Sequence, residues 1–352
     1  MPKGILTGVI KRLDKRISRA LPMVCAFLFF VFSVFYSVEV LAKSHRQETA
    51  AYAQSRLITQ VAGINKTLPK GFSLQVPENL AWRTAVFTKE KLHRGLLLLI
   101  DPQHPVPAAM PAPNSFSVAA YGQGSIATRS AHTVLNMETI QALVPLFRAG
   151  LKRGFGDWTL FAGTRSNEQQ LNLQLEQLAI YAKAYPLVTA AAMAEKGYEC
   201  PGCSEHQTGY ALDIRLCEGY NTPPDSHPLR DSRSGQYLLN VAWQYGFIHR
   251  YTEKKPHPVQ EEDYHFRYVG KNHAELMRLM DMSLEEYLAF LREKGQLSYY
   301  EDGKLKYVVL CGRTEGDFLT KAPEEALEIE ASADNTGYAI ALYRFTLSDA
   351  FE

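Results

Sequence analysis

Cysteine is scarce, with five in 352 residues, and the scarcity closes off one reading. Cys25 falls inside an apolar run, leaving Cys200, Cys203, Cys217 and Cys311, an even set with three possible full pairings. Cys200 and Cys203 form a C-x-x-C pair, but no second Cys/His pair at matching spacing completes a zinc knuckle. One or two disulfides, or buried thiols, remain open. Net charge is also nearly absent, at +1, and no basic stripe runs through the body of the chain, which excludes a nucleic-acid-binding surface. With 46% hydrophobic and 21% charged residues the chain can bury a proper core.

The small net charge hides an asymmetry. Lys3, Lys11, Arg12, Lys15, Arg16 and Arg19 stand against Asp14 in the first 19 residues, a head of +5 that leaves −4 for the rest. Residues 20–38 then carry no charge at all. As a helix this run spans roughly 28 Å, close to the hydrocarbon thickness of a bilayer. Basic residues ahead of it place the N-terminus in the cytoplasm and the remainder outside. The expected arrangement is a single-pass membrane protein with an extracytoplasmic body; the alternative is secretion after cleavage near Val40-Leu41-Ala42.

Residues 43–94 read as a stalk or linker, and the apolar run Gly95–Ile100 as a buried strand. A proline-rich loop follows. Asn136 is placed to cap a helix carrying Ile140, Leu143 and Phe147, kinked or delayed by Pro145 and closed by Gly150 or Gly154. Trp158–Phe161 reads as a strand, and Ser166 with Gln169 as a capping box for a helix whose Leu171, Leu175, Leu178 and Ala182 form one face. Arg165 thereby lies in a strand-to-helix turn, where a planar guanidinium is well placed to grip a carboxylate.

The chemistry concentrates in two stretches. Ser204-Glu205-His206-Gln207-Thr208-Gly209-Tyr210-Ala211-Leu212-Asp213 ends in a short strand that would carry Asp213 back toward His206. A helix closed by Gly246, a strand Phe247–Tyr251 and a charged turn then lead to Glu262-Asp263-Tyr264-His265. On a straight strand Glu262 and His265 would face opposite sides, so a turn at Asp263-Tyr264 is needed to bring both to one place. Two histidines, an aspartate and a nearby glutamate are the donor set and base of a catalytic zinc site.

These motifs, together with Gly163-Thr164-Arg165-Ser166 and Tyr245-Gly246-Phe247-Ile248-His249-Arg250-Tyr251, resemble those of the VanY-type D-alanyl-D-alanine carboxypeptidases, in the family's order, over roughly residues 95–295. The resemblance implies His206, Asp213 and His265 as zinc ligands, Glu262 as general base, and Arg165 as the residue that binds substrate or steadies the oxyanion. It places Ser204 and Gln170 at substrate-contacting positions. Thr164 stands where the family usually shows Tyr, and Asp263-Tyr264 where it shows Pro-Trp.

The resemblance implies an α+β fold, a central antiparallel sheet carrying the zinc site with helices packed on it, preceded here by a transmembrane helix and followed by a small β-rich appendage. The expected divisions are 1–19 (cytoplasmic head), 20–42 (anchor or signal peptide), 43–94 (stalk), 95–295 (catalytic domain) and 296–352 (C-terminal extension). The expected activity is hydrolysis of the terminal D-Ala-D-Ala bond of peptidoglycan stem peptides. An L-Ala-D-Glu endopeptidase, or a zinc-fold binding protein without turnover, are the alternatives.

Overall fold

A computed structural model describes residues 68–108, 110–197, 199–217, 228–251 and 263–346. The head, the apolar span, the first part of the stalk, the charged turn and Glu262 lie outside these residues. Among the described residues no helix is long and apolar enough to cross a membrane.

The fold is mixed helix and antiparallel sheet. At its centre four strands run in the order Trp158–Ala162, Ala211–Leu216, His265–Tyr268, Phe247–His249, each antiparallel to its neighbour. Side chains alternate across these strands. Leu160, Leu212, Ile214, Phe266 and Phe247 point to one face and pack beneath Ile140, Leu143, Leu146 and Phe147 of the helix Met137–Lys152. Each such burial contributes roughly 1.5–3 kcal/mol. The opposite face carries Asp213, His265 and Arg267, which the apolar face leaves for chemistry.

Several local expectations are corrected by their partners. The helix runs unbroken through Pro145 from Met137. Asn136 occupies its cap position without capping it; its Nδ2 donates to the Thr208 carbonyl at 3.1 Å, and its backbone N–H to that of Gly209 at 3.1 Å. The helix closes at Gly154, as expected, which takes a left-handed φ of 82° just past Arg153, while Gly150 lies inside it, where a Cβ would stand 2.7 Å from the Trp158 ring. Gly95–Ile100 is buried from Leu97 onward but is no strand. Its polar backbone is satisfied elsewhere: Arg267 donates to the Leu96 carbonyl at 3.1 Å, and Leu97 N–H donates to Ser332 Oγ at 3.0 Å.

The Ser166/Gln169 capping box forms, starting the helix Asn167–Tyr181. Its leucine face is not buried, however: Leu171 and Leu175 are exposed, and the main packing partner of this helix among the described residues is the second helix, Leu187–Gly197. Ser283 and Glu286 cap Leu284–Lys294 reciprocally, as the motif requires.

The C-terminal strands form a five-stranded sheet with Phe72–Ser73 at one edge, ordered Phe72–Ser73, Gln296–Glu301, Lys304–Arg313, Tyr338–Arg344, Glu328–Ala333. Phe318–Pro323 pairs separately with Trp82–Phe87. Leu297, Tyr307, Val309, Ile340 and Leu342 share one core with Leu276, Met277, Tyr287, Leu288 and Leu291 of the helices Lys271–Met280 and Leu284–Lys294. Residues 68–94 pair with strands of 296–346, and the latter share a core with the helices Lys271–Met280 and Leu284–Lys294.

Within this part Glu330 is largely buried, and its carboxyl is pushed up to about 7 by burial and by Glu328, despite the hydrogen bond from Asn272 to Oε1 at 2.9 Å. A carboxyl with a raised folded-state pKa binds more protons folded than unfolded, so stability falls as pH rises from about 4.5 to 7 and levels off above. Glu330→Gln is expected to stabilise the protein at pH 8 by on the order of 3 kcal/mol and to change little at pH 4. Urea unfolding at the two pH values measures this; equal effects at both would show that the charge is not the cause.

Candidate metal centre and active site

The sheet register assembles the centre. Asp213 pairs directly across from His265 on one side and from Ala162 on the other. Ala162 leads into Gly163 and, two residues on, Arg165. His206 comes from a single 3-10 turn, Glu205–Thr208, that closes on Gly209 with a left-handed φ of 78°. A Cβ on Gly209 would stand 2.8 Å from the Asn136 side chain, so both the conformation and the close approach require glycine there. Asp263 and Tyr264 form the expected turn before His265, and the strand begins at His265 itself.

Three buried donors converge. One ligand atom from each of His206, Asp213 and His265 lies within 4.8 Å of the others. Asp213 Oδ1 lies 3.3 Å from His206 Nε2 and 2.9 Å from His265 Nδ1. Bonds of about 2.0–2.1 Å arranged tetrahedrally give a donor–donor edge of about 3.3 Å, so the spacing suits zinc, and two imidazoles with one carboxylate is a zinc donor set. Among the described residues this is the one such group.

The two histidines present opposite nitrogens. His206 Nδ1 is 2.7 Å from the Gly163 carbonyl, an acceptor only, so Nδ1 carries the proton and Nε2 is left for a ligand role. Burial and the Arg165 charge push the His206 pKa down, favouring the neutral ring that a metal needs. Burial opposes ionisation of Asp213, but His206 and His265 hold its carboxyl well below the usual carboxylate range. His265 offers Nδ1 to Asp213, while its Nε2 faces Glu205 Oε2 at 3.2 Å.

Arg165 donates to Asp213 Oδ2 at 3.1 Å and approaches Gln170 Oε1 at 3.5 Å. Its guanidinium is thus steadied beside the donors, with N–H groups to spare. Gln170 is fully buried and its Nε2 donates to the Glu199 carbonyl at 2.8 Å, which ties it to the framework. Ser204 is fully buried, and its hydroxyl finds no hydrogen-bond partner among the described residues.

Residues without a role in the motif reading also belong here. Glu205 is fully buried between two arginines, Arg250 and Arg267; Arg250 Nη2 donates to its Oε1 at 3.1 Å. Tyr251 stacks on the His265 ring, centroids 5.0 Å apart and 13° from parallel. Glu205 stood within the motif, but an acid next to a histidine carries no signal of which way it points. Cys200 and Cys203 form a disulfide in the loop just before this turn, and Cys217 and Cys311 are free thiols. Gly202 N–H in that loop donates to Gln207 Oε1 at 2.7 Å, fastening it to the His206 turn. His249 makes a supporting contact only, its Nε2 2.7 Å from the Asp263 carbonyl.

The VanY family, described as D-alanyl-D-alanine carboxypeptidase, matches residues 132–271. A D-alanyl-D-alanine carboxypeptidase of Enterococcus faecium is 26% identical over 228 residues, which cover 63% of this chain and 66% of the relative. The bifunctional D-Ala-D-Ala dipeptidase and D-Ala-D-Ala carboxypeptidase VanXYC of Enterococcus gallinarum is 31% identical over 201 residues, covering 56% of this chain and 95% of that protein. The crystal structure of the vancomycin resistance D,D-dipeptidase VanXYg, in complex with a D-Ala-D-Ala phosphinate analogue, superposes with a TM-score of 0.61. It is 22% identical and covers 75% of this chain and 99% of its own, a likeness of fold.

Proposed function

Because the chain belongs to the VanY family of D-alanyl-D-alanine carboxypeptidases, we propose that it is a zinc peptidase that removes the terminal D-Ala from peptidoglycan stem peptides. The observation that carries this reading is the convergence of His206 Nε2, Asp213 Oδ1 and His265 Nδ1 beside the Arg165 guanidinium. Zinc held by these three atoms would supply a water acidified from a pKa of 15.7 to about 7 and a Lewis acid for the scissile carbonyl.

The chain's own residues do the rest. The Glu262 carboxylate takes the proton from the attacking water and returns it to the leaving amine of D-Ala. Arg165, with Asp213 Oδ2 and Gln170 Oε1 engaging two of its five N–H groups, offers the others to the substrate's terminal carboxylate or to the developing oxyanion. Ser204, fully buried at the start of the His206 turn, stands at a substrate-contacting position by the family resemblance. A carboxypeptidase must distinguish a free C-terminus from an internal bond, and a fixed guanidinium beside the metal ligands provides that distinction.

The reading extends to location. The Cys200–Cys203 disulfide favours an oxidising compartment, and the basic head with residues 20–38 favours a membrane anchor that leaves the body outside, where stem peptides lie.

The test is incubation of the full chain, purified in detergent micelles with one equivalent of zinc, with a pentapeptide muropeptide, followed by mass spectrometry. Loss of one alanine is expected. Cleavage at the L-Ala-D-Glu bond instead would make the protein an endopeptidase, and zinc binding without any cleavage would make it a binding protein.

A further inference from the structure

His265 is held on two sides besides the one that faces the other two donors. Tyr251 stacks on its ring, and Tyr251 adopts a left-handed backbone with φ of 51°, a conformation that costs a non-glycine residue energy and persists only where the surroundings enforce it. Glu205 Oε2 meets its Nε2 at 3.2 Å. Arg250 joins these two restraints: its Nε and Nη2 grip Glu205 at 3.3 and 3.1 Å, and its guanidinium lies 4.6 Å from the centre of the Tyr251 ring. The other edge of the same guanidinium donates to Glu285 at 2.8 and 2.9 Å, at the start of the helix Leu284–Lys294. Its backbone N–H also donates to the His265 carbonyl at 3.0 Å.

We propose that Glu205, locked by Arg250, is a positioning residue that sets the protein's affinity for its metal by fixing the proton of His265 on Nε2. A carboxylate accepts and never donates. With Glu205 ionised against Arg250, the His265 Nε2 must carry the hydrogen, which leaves the Nδ1 lone pair directed at Asp213 Oδ1 and the site of the ion. His206 reaches the same state through a backbone carbonyl, which no substitution can remove. His265 depends on a side chain, so its tautomer is open to mutation. This inference rests on the preceding reading only for the identity of the ion.

Glu205→Gln is the informative change, being equal in size and neutral. If the amide oxygen faces His265, its NH2 meets the Arg250 donors; if the amide turns round, its NH2 donates to Nε2 and drives the proton to Nδ1. The Arg250 donors favour the second orientation, which weakens the ion's hold. Zinc affinity of the full chain in micelles, measured by competition with a chromophoric chelator, is expected to fall about 10–100-fold.

Asp334→Asn is the control for simple destabilisation. Asp334 is a fully buried carboxylate paired with Arg292 at 3.0 Å, away from the site. Its loss is expected to lower the melting temperature with zinc affinity unchanged. In parallel, 15N-histidine NMR of the zinc-loaded wild type should show the proton of His265 on Nε2. Wild-type zinc affinity in Glu205→Gln, an equal loss in Asp334→Asn, or a proton on His265 Nδ1 would each overturn the proposal. Should Glu205→Gln fail to fold, the wild-type NMR decides alone. A protein that behaves as predicted in these measurements but leaves the muropeptide uncut would refute the proposed activity and leave this assignment standing.

Discussion

Glu262→Ala is expected to lower the turnover of a D-Ala-terminated muropeptide by about 10²–10⁴-fold, the contribution of a placed general base, while zinc content stays at one per chain. The two halves of this expectation have separate origins. Among the described residues the donors that converge are His206, Asp213 and His265, which already supply the three protein ligands of a catalytic zinc site, so loss of Glu262 is expected to leave the ion bound. Its candidacy as base comes from the resemblance of Glu262-Asp263-Tyr264-His265 to the family's motif. Three residues span at most about 11 Å of chain, and the turn at Asp263 and Tyr264 shortens the reach toward His265. Steady-state kinetics with metal analysis on the same sample is the check. A variant that keeps the wild-type rate has the wrong base assigned to it, and one that loses zinc along with activity would make Glu262 a ligand.

Removing the ion is expected to have the larger effect, since water activation and carbonyl polarisation disappear together. Dialysis against a chelator should abolish cleavage, and stoichiometric zinc should restore it. Asp213→Ala should abolish it beyond rescue. Asp213 does more than contribute one oxygen: it is the common neighbour of His206 Nε2 and His265 Nδ1 and the partner of Arg165. Its removal separates the two imidazoles and leaves a largely buried guanidinium unpaired.

A readout independent of activity follows from mass action. Zinc at 100 times its dissociation constant stabilises a folded protein that binds it by about 2.7 kcal/mol, so zinc should raise the wild-type melting temperature and leave that of Asp213→Ala unmoved. A chelated protein that still cleaves at the original rate would remove the metal from the proposed function altogether.

The local elements that were legible in the sequence are those whose determinants lie close together in the chain. Ser166 with Gln169 and Ser283 with Glu286 cap their helices because both partners of each box fall within one turn. The strand that carries Asp213 and the closure of the following helix at Gly246 were legible in the same local way. The leucines of Asn167–Tyr181 misled because periodicity reports a potential face and not a partner to cover it. Gly95–Ile100 misled in the opposite way: its burial is real, but its hydrogen bonds go to Arg267 and Ser332, far away in sequence.

By itself the sequence determined which side chains are candidates for the chemistry: His206, Asp213, His265, Arg165 and Glu262 stand in motifs that resemble those of the family. Only the tertiary structure decided how they are held: that Asp213 falls in register with His265, that the two histidines present opposite nitrogens, and that Glu205, Arg250 and Glu285 connect a metal-site histidine to a helix some twenty residues further along the chain. It also decided that the C-terminal strands share a core with the helices Lys271–Met280 and Leu284–Lys294. The physical reason is the range of the interactions. Residue type and turn chemistry are encoded within a few positions, whereas register, the choice of hydrogen-bond acceptor and the desolvation that makes a buried ion pair matter depend on which distant segments the fold brings into contact.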